Sequence, residues 1–136
     1  MRHAHAAQGE DDFSRPLTER GQKQAELVGA DFKELALVPD HVVCSSALRA
    51  RRTAEIVAAL LNFTGEISKS DRLYEASMMD YFEAIQSTPE VVSTLLLVGH
   101  NPSVSELLGA VHQGRIELPP AGYDIVRRPH WEDFKP

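Results

Sequence analysis

A single cysteine, Cys44, stands in the 136 residues, so no internal disulfide can brace the chain, and one thiol fits a reducing compartment. No apolar run approaches the ~18 residues of a membrane-crossing helix, and no apolar signal segment opens the sequence; the cytoplasm is the expected location. Positive charge is also scarce: 14 Lys and Arg against 20 Asp and Glu leave a net charge of −6. A sequence-independent grip on nucleic acid or on an anionic membrane needs a basic surface, so neither is an expected partner. Any anion must then be met locally, by arginines gathered into a pocket. The chain has no glycine-rich nucleotide loop and no cluster of cysteines or carboxylates at metal-ligand spacing. His3 and His5 alone would share a strand face, which is too little for a metal site. No metal and no cofactor is expected.

What is present describes an ordinary globule, with 43% hydrophobic and 25% charged residues. The length predicts one domain over residues 1–136, with room for a real core but not for a barrel enzyme of ~250 residues. Residues 4–16 are small, polar and acidic and read as a loop. Thr18 is a plausible N-cap with Glu19 in the first turn, and Ala25, Val28, Phe32 and Leu35 then recur on one face of an amphipathic helix that stops before Pro39. His41–Cys44 is short and β-branched, as a buried strand would be, and Ser46 is placed to cap the helix that follows, which carries Leu48, Ile56, Val57, Leu60 and Leu61. A brief strand is expected at Glu66–Ser68 and a third helix between Met78 and Ser87. Thr94–Val98 is the clearest strand, a continuous apolar run of the kind found in parallel sheets covered on both faces. A helix holding Val104, Leu107, Leu108 and Val111 follows, and Tyr123–Val126 is the last expected strand. This alternation indicates an α/β fold, a three-layer α/β/α sandwich with a mostly parallel sheet.

In such sheets ligands bind outside the carboxyl ends of the strands. Ser45 and His100 both follow strands directly, and His3 would as well if a strand led into it. Two histidines, His3 and His100, and two arginines, Arg2 and Arg49, would then surround one phosphoryl-sized anion. Guanidinium forks suit that task because they bond two oxygens at once and stay charged.

Five blocks carry a more specific signal: Arg2-His3-Ala4, Arg15-Pro16-Leu17-Thr18-Glu19-Arg20-Gly21, Ser45 to Ala54, Leu73-Tyr74-Glu75-Ala76 and Val98-Gly99-His100-Asn101-Pro102. In this order they resemble the histidine phosphatase superfamily, with its phosphoglycerate mutase-like fold, and in particular the small SixA-like phosphohistidine phosphatases. The resemblance implies a phosphatase in which His3 attacks phosphorus and carries the phosphoryl group until water removes it. A neutral imidazole is a competent nucleophile, and covalent catalysis divides a hard transfer in two. His3 must be unprotonated, with a backbone carbonyl expected on its other nitrogen. Arg2, Arg49 and His100 would hold the phosphoryl oxygens, His100 best as imidazolium, with Arg15 a further cation at the rim and Asn101 beside the substrate. Glu75 is the candidate proton donor if burial raises its pKa, and otherwise holds a loop. The expected substrate is phosphohistidine, carried on a protein, or a small phosphomonoester.

Other readings of the same residues remain. Arg49 clusters with Arg51 and Arg52, and helical arginines commonly only pair with nearby acids. Cys44 and Arg49 are separated by four residues, not the five of a cysteine phosphatase loop, and a thiol in a buried strand is inert. The sequence also departs from the family pattern. The family has a hydrophobic strand leading into Arg-His at the middle of its sheet, whereas here Met1 directly precedes Arg2. The central strand is therefore expected to be missing, and the competing expectation is a truncated or non-catalytic phosphate-binding relative.

Overall fold

The computed structural model describes residues 1–136. Its elements, in order, are α1 (Glu19–Glu34), β1 (His41–Ser45), α2 (Leu48–Leu60), β2 (Ile67–Ser70), α3 (Met78–Gln86), β3 (Leu95–Val98) and α4 (Ser103–His112), with short 3-10 turns at Asp12–Ser14, Asp71–Leu73 and Trp131–Asp133. The three strands form a parallel sheet in the order β2-β1-β3. No helix is long and apolar enough to cross a membrane.

Side chains alternate across a strand, and here the alternation sorts the core into two sides. Val43, Leu95 and Leu97 pack toward the cluster of α3 and α4, with Tyr81, Phe82 and Leu108 at its centre. Val42, Cys44 and Val98 instead pack against Ala50 and Ala54 of α2, and α2 packs in turn on α1. The continuous apolar run of β3 is thus explained by helices on both faces.

Thr18 caps α1 by accepting from the Gly21 amide at 3.0 Å. Ala25, Val28 and Phe32 are buried as their spacing predicts, but Leu35 is 56% exposed because the helix ends at Glu34 and the chain turns at Ala36 in a left-handed conformation. Gly21 is required by close approach, since a Cβ there would collide with the His5 carbonyl. Ser46 does not cap α2. The N-cap is Ala47, without a side-chain bond, and the Ala47 amide instead donates to Ser45 Oγ at 3.2 Å.

Two further expectations are corrected. Residues 4–16 are not a plain loop: Asp12–Ser14 forms a 3-10 turn, and Ala6 bridges Leu17. Tyr123–Val126 forms no strand. The adjoining Ala121 and Gly122 bond the backbone of His3 and Arg2, but past that point a groove of about 610 Å³ lies between β3 and the 123–128 segment, so no ladder partner is within reach. Residues 1–3 join the free margin of β3 by a short run of backbone bonds. Arg2 bridges Gly99 in parallel, and the Met1 amine and the His3 amide donate to Leu97 and Gly99 carbonyls at 2.9 Å each. These bonds extend the sheet beyond β3 by one short step and set His3 at its carboxyl edge.

Candidate active site

His3 is fixed by its backbone before its ring matters. Its amide donates to Gly99, its carbonyl accepts from Ala121 at 3.0 Å, and the next amide, Ala4, donates to Thr53 Oγ on α2 at 3.0 Å. The ring Nδ1 lies 2.7 Å from the Ala4 carbonyl. A carbonyl can only accept, so Nδ1 carries the proton and Nε2 presents its lone pair. Burial, reinforced by the guanidiniums of Arg49, Arg2 and Arg15, lowers the His3 pKa to about 4 against the opposing Ala4 carbonyl, so the ring is neutral at pH 7.

The His3 and His100 ring centroids are 5.2 Å apart, and Arg49 Nε donates to His3 Nε2 at 3.3 Å. Residues 46 and 97 positions away in sequence therefore meet at one nitrogen-rich cluster. Arg49 is buried on the first turn of α2. Arg2 donates from Nη1 to the Leu118 carbonyl at 3.0 Å. Arg15 sits farther out, with Nε on the Ala7 carbonyl at 2.7 Å and Nη1 on Asp12 at 3.0 Å. Asn101 spends its side chain on the scaffold: Nδ2 donates to Leu118 O and Oδ1 accepts from Ser105 Oγ. Glu75 is exposed and left-handed, next to Tyr74 on the rim.

His100 is not an imidazolium in the free chain. Burial, then the neighbouring His3 and Arg49, push its pKa down to about 3. The cost of burying a positive ring among guanidiniums outweighs the attraction of the Asp12 carboxylate. Ser45 Oγ holds its Nε2 at 2.8 Å, and the Tyr81 hydroxyl accepts from its amide at 3.0 Å while donating to the Leu73 carbonyl. His5 turns away, with Nδ1 on Thr18 Oγ at 2.8 Å, and nowhere do three His, Cys, Asp or Glu side chains gather as metal ligands would.

Several of these partners are not evident from sequence motifs. Asp12 reaches Arg49, Arg15 and the Tyr74 hydroxyl from within the acidic 4–16 segment. Ser45, Thr53 and Tyr81 orient His100 and the segment after His3. The positions of Ser45 and Thr53 inside the Ser45–Ala54 block were the available signal. Nothing in the sequence singles out Asp12 from its neighbours Glu10 and Asp11.

The model of the histidine phosphatase superfamily (branch 1) matches residues 1–106, most of the chain and all four of Arg2, His3, Arg49 and His100. The chain belongs to this superfamily. An uncharacterized protein of Mycobacterium tuberculosis is 34% identical over an alignment of 150 residues, spanning 100% of this chain and 92% of the relative. A structure described as a phosphohistidine phosphatase SixA from Agrobacterium tumefaciens is 34% identical with a TM-score of 0.75, over 81% of this chain and 72% of that one. A SixA protein histidine phosphatase crystallised with tungstate is 29% identical with a TM-score of 0.74, covering 80% of this chain and 72% of its counterpart. A phosphoglycerate mutase from Plasmodium falciparum, 20% identical at a TM-score of 0.59 over 71% and 64% of the two chains, shares the fold.

Proposed function

We propose that this chain is a metal-independent phosphatase that works through a phosphohistidine on His3, with phosphohistidine or a small phosphomonoester as substrate. The observation that carries the reading is the state of His3: a neutral ring whose proton is pinned on Nδ1 by Ala4 O, leaving the Nε2 lone pair beside Arg49 and His100. The tungstate bound to a SixA relative, an oxyanion of phosphate-like charge and shape, supports a phosphoryl-sized site here. So do Arg2 Nε and His100 Nδ1, buried atoms that have no hydrogen-bond partner within the chain.

In the first step the His3 Nε2 lone pair forms a bond to phosphorus as the bond to the leaving atom breaks, and the leaving atom keeps that electron pair and takes a proton. Arg49 must release Nε2 for this to occur. Arg2 and Arg49 neutralise the charge on the equatorial oxygens, where catalysis of a loose transition state is mostly positioning and electrostatics. Neutral His100 adds a hydrogen bond without adding charge. A protonated phosphoramidate nitrogen leaves readily, so a phosphohistidine substrate takes its proton from solvent. An alkoxide leaves less readily, and Glu75 on the rim is the candidate donor for it. Water then attacks phosphorus, the N–P electron pair returns to Nε2, and phosphate departs.

Trapping with radiolabelled substrate tests this reading. A phosphohistidine adduct is acid-labile and alkali-stable, and it is absent from His3→Ala. An alkali-labile adduct would assign the phosphoryl group to a carboxylate and refute the nucleophile. Binding of phosphate or vanadate without turnover of any aryl phosphate or phosphohistidine would make the chain a binding module instead.

A further inference from the structure

Each of the three guanidinium nitrogens of Arg49 has a partner before any substrate arrives. Asp12 Oδ2 accepts from its Nη2 at 3.1 Å, the Asp12 carbonyl accepts from its Nη1 at 2.7 Å, and Nε lies on His3. The same carboxylate takes Arg15 Nη1 on Oδ1 at 3.0 Å and the Tyr74 hydroxyl on Oδ2 at 2.6 Å. These donors hold the Asp12 carboxyl well below the usual carboxylate range, Tyr74 first and Arg15 next, so it is an anion at any working pH. It fills the face of Arg49 that a phosphoryl group would use.

Two features separate this from an ordinary buried ion pair. Asp12 rides on the exposed turn Asp12–Ser14 with half of its side chain in solvent, so it can leave without opening the core. The charges also point to competition: with both imidazoles neutral, the guanidiniums of Arg2, Arg15 and Arg49 around His3 are offset by the one Asp12 carboxylate, and the surplus equals the charge of one phosphoryl dianion. Without Asp12 the site would be over-positive and would hold its product too well.

We propose that Asp12 is a resident counter-anion that competes with the phosphoryl group for Arg49, weakening the hold on inorganic phosphate so that product leaves. The proposal rests on the reading of Arg49 as the phosphoryl clamp. The incoming phosphoryl oxygens take over Nη1 and Nη2, Asp12 swings out with its turn, and its return helps expel phosphate.

The experiment is calorimetric titration of the whole chain with inorganic phosphate at low salt, for wild type, Asp12→Asn, Asp12→Glu and Arg49→Ala. Asp12→Asn keeps the shape and an acceptor for Tyr74 but removes the charge. At contact distance and partial exposure the loss of one repulsive charge is expected to tighten phosphate binding about tenfold, ~1.4 kcal/mol, less at high salt. Asp12→Glu restores the charge and is expected to stay within about twofold of wild type. In steady state the Asn variant loses kcat through slow phosphate release while its single-turnover transfer to His3 is undiminished. Phosphate bound no tighter by Asp12→Asn than by wild type overturns the proposal and makes Asp12 a fixed orienter of Arg49. Arg49→Ala binding phosphate as well as wild type overturns the clamp itself, and the proposal with it.

Discussion

Thr53 offers the sharpest test of how the site is held. Its side chain is fully buried on α2, with Oγ accepting from the Ala4 amide at 3.0 Å and donating to the Arg49 carbonyl at 2.7 Å. One hydroxyl thus ties the residue after His3, the proposed nucleophile, to the carbonyl of Arg49. Replacing Thr53 by Val keeps the volume and removes the hydroxyl. The Arg49 carbonyl retains its helical partner, but the Ala4 amide, in a residue with no exposed surface, is stranded. An unmade buried hydrogen bond costs roughly 1–3 kcal/mol, so the expected loss is about 2 kcal/mol, or about 6 °C in Tm for a chain of this size. Thr53→Ser keeps the hydroxyl and loses one methyl group, for about 1 kcal/mol. Urea unfolding should therefore rank wild type above Ser above Val, against the order that apolar burial alone dictates. Val equal to or more stable than Ser would refute the assignment of Thr53 as the anchor of Ala4.

Because burial lowers the His3 pKa to about 4, the rate of single-turnover transfer to His3 at saturating substrate should hold level from pH 7 to about 5 once the substrate's own second ionisation, about 6, is allowed for; a remaining acid limb at 6.5 would mean an unperturbed ring. The same shift makes stability pH-dependent. The folded pKa lies below the unfolded value of 6.5, so the unfolded chain binds the extra proton, and stability is complete above 6.5 and lost as pH falls toward 4. The His3 share is roughly 3 kcal/mol, and urea midpoints that stay flat over this range would contradict it. At Gly99 a Cβ would collide with the ring and hydroxyl of Tyr81, which is fully buried, so Gly99→Ala is expected to cost about 2 kcal/mol and to disturb the amide of His100; a wild-type urea midpoint would show that Tyr81 has room to yield.

The elements that sequence periodicity reads well are those whose burial is local. Ala25, Val28 and Phe32 recur at helical spacing and face the core, and the apolar run ending at Val98 is the strand between two helix layers. Leu35 and Tyr123–Val126 show where that logic fails. Leu35 has the right period but stands beyond the last helical residue, and Tyr123–Val126 has strand composition but no neighbouring strand to pair with, a property of the sheet and not of the segment. The histidines and arginines of the site were legible because each falls in a motif. Their second partners were not. Asp12 lies 37 residues from Arg49 and 62 from Tyr74, and no local pattern encodes a meeting across such distances. The charge state of His100 was equally hidden, since it depends on which cations burial brings beside it.

The half-buried leucines of β3 carry a consequence of their own. Leu95, Leu96 and Leu97 border the sheet on the side of the groove, with unpaired backbone along most of that margin. Such a margin accepts any extended chain that reaches it, including one from another molecule. Mutual repulsion between molecules of net charge −6 opposes that encounter, and dissolved ions weaken it. Crowding and ionic strength would then govern whether the protein stays dispersed, independently of whatever happens at the imidazoles on the far end of the same strand.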